Sequence, residues 1–133
     1  MQKNCLFKVL SLFLTLFFSS TPYIVNAEQK ESSALFSLIN KRLSYMEDVA
    51  LHKYEKNIKI EDLDREQIVI NEALEEAAEK DLDRTSIENF FRTQIDIAKS
   101  IQRRYFADWI HKPTTTTAPD LQNDIRPSLT NLG

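Results

Sequence analysis

Residues 28–112 contain neither glycine nor proline, and this absence limits what the chain can fold into more than any other feature. Both residue types interrupt helices, glycine through its backbone freedom and proline through its missing N–H group. Phosphate-binding loops and the tight turn that presents a catalytic serine both depend on glycine. Long helices joined by short polar connections are therefore the simplest outcome, and the sequence predicts an all-α fold.

The first 27 residues form a segment of different character. Lys3 and Lys8 precede an apolar run from Val9 to Phe18, and the segment ends at Ala27 in a small-residue pattern. This layout is typical of a secretory signal peptide, and the apolar run is shorter than the ~20 residues of a membrane span. We therefore predict cleavage near Ala27 and a periplasmic or secreted protein without membrane attachment once the signal is removed. A retained membrane anchor is the weaker alternative.

Composition excludes several classes of function. The formal charge is −3, and it falls to −5 if Lys3 and Lys8 leave with the signal, so nucleic acid is not an expected partner. The one cysteine, Cys5, lies in the signal, which leaves the mature chain without disulfides or a cysteine-based metal site. His52 and His111 are isolated and are predicted to be surface or capping residues. No metal or other cofactor is expected.

Three helices are predicted from apolar residues that recur at spacings of three and four. The predicted spans are residues 33 to about 58, residues 64–80, and a third helix from its N-cap to about residue 109. Ser32 or Ser33 is the expected N-cap of the first helix. The third begins either in the capping box Thr85–Glu88 or at the competing cap Asp83. Together they predict a three-helix antiparallel core over residues 28–112.

The remaining residues, 113–133, divide into a linker and the start of a further helix. Pro113 and Pro119 bracket four threonines, which favours an extended linker. Asp120 then stands where an N-cap is expected, and the sequence ends a few residues later. We interpret this part as a truncated C-terminal helical segment. A core of this size would also be helped by an oligomer.

Several polar residues fall on the apolar faces of these helices. Arg42 and Lys53 are eleven residues apart, almost three turns, so they project in the same direction. Sequence alone favours side chains that reach water beside the core, although two converging cations would suit a small dianion. Gln102 is equally compatible with a hydrogen bond between helices and with a neutral donor directed into a cavity. Arg65, among the acids of residues 61–66, is locally most simply a surface ion pair.

Taken together, these residues resemble the all-helical chorismate mutases, specifically their secreted branch. The matching pieces are Arg42 in NKRLSYMEDVALHKY, Lys53 in the same piece, DLDRE from Asp62 to Glu66, and FFRTQIDIAKSIQRRYFADW from Phe90 to Trp109. They cover nearly all of the mature chain, and their order and spacing carry the resemblance. That family converts chorismate to prephenate by an intramolecular Claisen rearrangement, without a cofactor or a covalent intermediate.

The resemblance implies a role for each matching residue. Arg42 and Arg65 would bind the two substrate carboxylates, for which a planar guanidinium is suited. Lys53 would donate to the ether oxygen and to a neighbouring carboxylate, and Gln102 would be the second donor to that oxygen. Negative charge builds on the ether oxygen as its bond breaks, so these donors would favour the transition state. Lys53, Gln102 and Arg65 are the predicted catalytic residues.

The resemblance also reaches residues outside this group. Asp62 and Glu66 would hold the substrate hydroxyl and orient the cations. Arg126 matches, with a shift of one residue, a further site arginine of secreted relatives. Ala98 stands where relatives often have a small hydroxyl residue. Because those relatives continue with more helix, an inactive truncated relative and a secreted helical adaptor are the alternatives to an active enzyme. A homodimer is compatible with the family and with the small core.

Overall fold

The computed structural model describes the backbone of residues 23–132 and the side chains of residues 28–132, so most of the predicted signal peptide lies outside the described residues. The described chain is all-helical, as predicted. Its elements are α1 (Tyr23–Ser44), α2 (Met46–Glu55), α3 (Leu63–Glu79), α4 (Arg84–His111), a π-helix (Leu121–Ile125) and α5 (Arg126–Thr130). The chain divides into two compact units, Met1–Phe36 and Ser37–Gly133, and everything below concerns the second except where α1 is named.

The predicted first helix is interrupted at Tyr45, which separates α1 from α2. There the Tyr45 N–H donates to the Arg42 carbonyl at 3.3 Å, three residues back, so the helix tightens for one turn. The chain leaves α2 at Asn57, whose φ of 53° is in the left-handed region that asparagine tolerates. The prediction of one helix to about residue 58 was therefore wrong at both points.

The predicted N-cap of the first helix was also wrong. α1 already begins at Tyr23, and the Ser32 hydroxyl donates to the Glu28 carbonyl at 2.6 Å, a bond made inside a helix. Serine at such a position returns its hydroxyl to the preceding turn rather than capping the helix.

The N-caps of the two longer helices are aspartates. Asp62 Oδ1 accepts the Arg65 N–H at 3.1 Å and starts α3, one residue before the predicted beginning. Asp83 Oδ1 accepts the Ser86 N–H at 2.8 Å and the Ser86 hydroxyl at 2.6 Å, and it starts α4. Asp83, the competing cap, is thus confirmed. The capping box is not formed because Thr85 lies inside the helix, and Glu88 pairs with Arg92 at 2.7 Å.

The segment after α4 follows the prediction in outline. Residues 113–120 have no regular secondary structure. Asp120 then accepts the N–H groups of Gln122 at 2.9 Å and Asn123 at 2.7 Å, as an N-cap does. The Ile125 N–H also reaches the Asp120 carbonyl, five residues back, at 3.1 Å, which makes this turn a π-helix.

Two buried clusters hold the second unit together. One joins α2 to the C-terminal segment through Met46, Val49, Leu121 and Ile125, and Ile125 is only 2% exposed. This packing fixes the start of α5, since Arg126 follows Ile125 directly. The position of Arg126 is therefore set by apolar burial on α2 rather than by the linker.

The second cluster joins α2 to the end of α4. Ala50, Leu51 and Trp109 are its buried members, and the Tyr105 ring stacks on the Trp109 ring at 5.5 Å. α3 packs against α4 as well, and its buried residues include Ile70. α2 and α3 thus share α4 as their packing partner, and the side chains that face one another across this junction surround a cavity.

Candidate active site

A cavity of about 210 Å³ lies among the last turn of α1, the helices α2, α3 and α4, and the C-terminal segment. All seven residues that the sequence predicts as substrate-binding line it: Arg42, Lys53, Asp62, Arg65, Glu66, Gln102 and Arg126. They come from five different stretches of the chain. The structure therefore brings the predicted residues to one place, while their individual roles stay predictions.

Arg42 and Arg65 place two guanidinium groups near each other in the wall of the cavity. Burial, and then the nearby positive charge of Arg65, lower the pKa of Arg42 from its ordinary value. Within residues 28–132, neither guanidinium forms an ion pair with a carboxylate. Two cations that repel each other and lack internal partners would gain from an anionic ligand between them.

Lys53 is buried, with 7% of its surface exposed, so the expectation that it reaches water beside the core was wrong. Its Nζ donates to the Ile60 carbonyl at 2.6 Å, and this carbonyl belongs to the loop just before α3. Burial is the largest influence on the pKa of Lys53, and it lowers this pKa. The negative charges of Asp62 and Glu66 act to raise it, and the positive charge of Arg126 acts to lower it. An ammonium with one short bond has two N–H groups left to offer a ligand.

Gln102 is buried on the apolar face of α4, at 5% exposure. Its Nε2 approaches Met46 Sδ at 3.6 Å, and its Oε1 has no partner among the described residues. The bond to Met46 crosses from α4 to α2, which agrees with the interpretation of Gln102 as a hydrogen bond between helices. Because a thioether is a weak acceptor, the amide can exchange it for an oxygen in the cavity, so the interpretation of Gln102 as a neutral donor to a ligand also stays open.

Asp62 joins two parts of the cavity wall. While Oδ1 caps α3, Oδ2 lies 3.6 Å from Arg126 Nη2, and Arg126 Nη1 donates to Gln122 Oε1 at 2.7 Å. The same carboxylate therefore fixes the beginning of the helix that carries Arg65 and holds the guanidinium of the C-terminal segment. This dual contact gives Asp62 a structural role whether or not it touches a ligand.

Lys99 lines the cavity, and sequence reasoning missed it. Its Nζ lies 3.0 Å from Glu66 Oε2 and 3.2 Å from Asp96 Oδ1. The signal was present: Lys99 precedes Gln102 by three residues, and residues three apart lie on one side of a helix. Gln94, eight residues before Gln102 on α4, is also buried and lines the cavity.

Two further properties concern the described residues as a whole. No three or more histidine, cysteine, aspartate or glutamate side chains in residues 28–132 come together in a way that could hold a metal ion. Within the described helices, none is both long enough and apolar enough to cross a membrane.

Comparison with known proteins gives a consistent result. The model of the family "Chorismate mutase type II" matches residues 32–103. The chain is 42% identical over 108 residues to a secreted chorismate mutase of Yersinia pestis, covering 81% of this chain and 57% of that protein. It is 35% identical to a monofunctional chorismate mutase of Enterobacter agglomerans, covering 76% of this chain and 56% of that protein.

Solved structures agree. A chorismate mutase from Burkholderia thailandensis superposes with a TM-score of 0.72 at 31% identity, over 74% of this chain and 63% of that one. The secreted chorismate mutase of Yersinia pestis gives 0.67 at 43% identity, over 71% of this chain and 61% of that one. The chain thus spans little more than half the length of the curated relatives it matches.

Proposed function

This chain belongs to the chorismate mutase type II family, and on that basis we propose that it converts chorismate to prephenate. The reaction is an intramolecular rearrangement of a dicarboxylate that passes through a chair-like shape. The catalyst must hold both carboxylates in that shape and supply hydrogen-bond donors to the ether oxygen as charge builds there.

The observation that carries the proposal is the charge of the cavity. Arg42 and Arg65 lie near each other and form no ion pair among residues 28–132, and the buried Lys53 and Gln102 line the same space of about 210 Å³. A small dianion would relieve the repulsion between the two guanidiniums. This arrangement is costly for the empty protein, and a carboxylate ligand offsets the cost.

Each donor has a place in the proposed mechanism. Arg42 and Arg65 bind the two carboxylates. Lys53 is held at the Ile60 carbonyl and directs its remaining N–H groups to the ether oxygen and to one carboxylate. Gln102 exchanges its weak contact with Met46 for the same ether oxygen. These two donors strengthen as the oxygen becomes negative, so they stabilise the transition state more than the substrate.

Three further residues complete the site. Glu66 accepts the substrate hydroxyl, and Asp62 keeps Arg126 at the cavity. Arg126 adds a third guanidinium, which the C-terminal segment contributes to the cavity wall. No step in this mechanism requires a nucleophile or a proton transfer, because bonds break and form within one molecule.

A direct assay tests the proposal. Chorismate loss is followed by ultraviolet absorbance with the purified protein, and prephenate is identified after its conversion by acid to phenylpyruvate. Arg42→Ala serves as the control for uncatalysed rearrangement. Turnover above this control supports the proposal. Absence of turnover, with the helical circular dichroism spectrum intact, contradicts it.

We also propose that the protein is exported to the periplasm or secreted. Support comes from the sequence pattern of residues 1–27 and from similar proteins that are named as secreted. N-terminal sequencing of protein recovered from the periplasm or medium tests whether cleavage occurs near Ala27. A homodimer likewise stays a prediction, and the molar mass of the purified protein, measured by light scattering, tests it.

A further inference from the structure

We infer that Lys99 is a positioning residue of this site: it fixes Glu66 so that one carboxylate oxygen stays available for the substrate hydroxyl and Lys53 stays available for the ether oxygen. The inference rests on the proposed function. It assigns to Lys99 a role that acts through Glu66 rather than through contact with the reacting atoms.

The Lys99–Glu66 pair differs from the other ion pairs on these helices. It spans two helices, α4 and α3, with Nζ 3.0 Å from Oε2, and its side chains are only 13% and 20% exposed. The pairs Arg92–Glu88 and Arg104–Asp108 lie within α4 and are far more exposed. Exposed pairs of that kind exert little hold on geometry, whereas a partly buried pair between helices restrains both side chains.

The hydrogen bonds of Glu66 leave one oxygen for a ligand. Oε2 is bonded to Lys99, and Oε1 is buried with no partner among the described residues. A buried carboxylate oxygen without a donor is unfavourable, so a donor brought by the ligand is favoured at this point. Since the substrate's carboxylates would be repelled here, its hydroxyl is the group that fits.

Lys99 also decides which cation Glu66 neutralises. The charge of Glu66 acts to raise the pKa of Lys53, so the two groups interact within the cavity. The pKa of Lys99 is raised, chiefly by its hydrogen bond to Glu66 and further by Asp96. Lys99 is therefore charged at neutral pH and holds Glu66 on the α4 side. Without it, Glu66 can turn to Lys53, a cation of the same cavity whose pKa already responds to the charge of Glu66.

The consequence for the reaction is specific. A Glu66 carboxylate that swings to Lys53 leaves the substrate hydroxyl without its acceptor, and it occupies an N–H group intended for the ether oxygen. The first effect weakens substrate binding and the second weakens transition-state stabilisation. Loss of Lys99 should therefore raise KM and lower kcat together.

The experiment compares five variants with the wild type in kcat, KM and thermal unfolding. Lys99→Met removes the charge and keeps the length, Lys99→Arg restores the charge, and Glu66→Gln removes the partner. The double variant Lys99→Met with Glu66→Gln tests coupling. Arg104→Met removes an exposed cation of the same helix that does not line the cavity, and it is the matched control.

We expect Lys99→Met to lower kcat/KM by about 10- to 100-fold, since a small displacement of a positioning contact has effects of this order. Lys99→Arg should recover most of the loss, and the double variant should be no worse than the poorer single variant, because both act on one contact. Arg104→Met should be unchanged.

Three outcomes, each with an active wild type, overturn the inference and leave the proposed function standing. The first is a kcat/KM of Lys99→Met equal to that of Arg104→Met, and the second is a double variant whose loss of kcat/KM is the product of the two single losses. The third is a loss of kcat alone that is proportional to the fraction of unfolded protein. The last would mean a purely structural pair. An inactive wild type that also fails to bind a bicyclic dicarboxylate mimic of the transition state overturns the proposed function, and the role of Lys99 with it.

Discussion

The Nε2 atom of Gln102 lies 3.6 Å from the Sδ atom of Met46, so the amide that faces the cavity is bonded to one of the weakest acceptors in a protein. Both residues are buried, at 5% exposure each. The contact holds the amide in orientation between α4 and α2, and it is easily exchanged for a better acceptor. Because an amide does not titrate near neutral pH, Gln102 can donate its hydrogen bond at any pH in this range.

Replacement of Gln102 by Glu should make the activity depend on pH. A carboxyl at this position donates only when it is protonated, so its contribution is present below its pKa and is lost as the pH rises through it. Burial favours the protonated form, which moves this loss toward neutral pH. We expect kcat/KM of Gln102→Glu to fall by 10-fold or more between about pH 5 and pH 8. Initial rates at limiting chorismate measure kcat/KM at each pH, and rates at saturating chorismate measure kcat.

The wild type supplies the comparison for this experiment. With Gln102 in place, kcat/KM should be nearly flat over the same range, and Gln102→Ala should be lower but equally flat. A steep fall in the wild type itself would show that another group controls the pH dependence.

Lys53 should give opposite slopes for activity and stability at alkaline pH. Burial lowers its pKa in the folded protein below the ordinary value of 10.5. Between these two values the unfolded chain binds more protons, so the free energy of unfolding rises with pH. Activity should fall over the same window, because the neutral amine lacks the charge that the proposed mechanism places at the ether oxygen.

Urea unfolding and kcat/KM, both measured from about pH 8 upward, test this prediction. Other lysines and the tyrosines titrate in the same range, so the relevant quantity is the difference from Lys53→Met. That variant should lack the added rise in stability and should be inactive at every pH. A wild type that loses stability relative to Lys53→Met over this window would contradict the assignment.

Arg126 should matter for activity and little for stability. Its guanidinium pairs with Asp62 at 3.6 Å, and the two side chains are 28% and 42% exposed, so the pair contributes little to folding. A hydrogen bond to a charged ligand contributes about 1.5–3 kcal/mol, so Arg126→Ala should lower kcat/KM about 10- to 150-fold. Arg103→Ala is the matched control, because Arg103 pairs with Glu61 at a similar 3.7 Å and does not line the cavity.

The parts of the fold that depend on neighbouring residues were predictable from the sequence. α3 begins within one residue of its predicted start because Asp62 caps it locally. The interruption at Tyr45 was not predictable, because one hydrogen bond changes from four to three residues back while the apolar spacing continues. The sequence pattern records which residues are apolar and does not record such a local change in bonding.

The site shows the same division. The resemblance named Arg42, Lys53 and Gln102 by their order, and they line one cavity. The burial of Lys53 was not foreseen, because helical spacing alone does not show whether a long side chain reaches water. Lys99 was missed for a related reason: a lysine on a helix is normally solvated, and only the approach of α3 brings Glu66 to it.

Arg65→Ala tests whether this arginine is a ligand residue or a surface ion pair. It lines the cavity, makes no ion pair among residues 28–132, and its charge lowers the pKa of Arg42. Loss of a charged hydrogen bond to a carboxylate, about 1.5–3 kcal/mol, should lower kcat/KM about 10- to 150-fold for each bond. The urea midpoint should stay level or rise, since a repulsion is removed. The kcat/KM of Arg65→Lys should lie between those of the wild type and Arg65→Ala, because an ammonium keeps the positive charge and lacks the planar guanidinium that binds a carboxylate through two bonds. Arg104→Ala should match the wild type. Unfolding of Arg65→Ala without a separate loss of substrate binding would instead assign Arg65 to the structure of the α3 start.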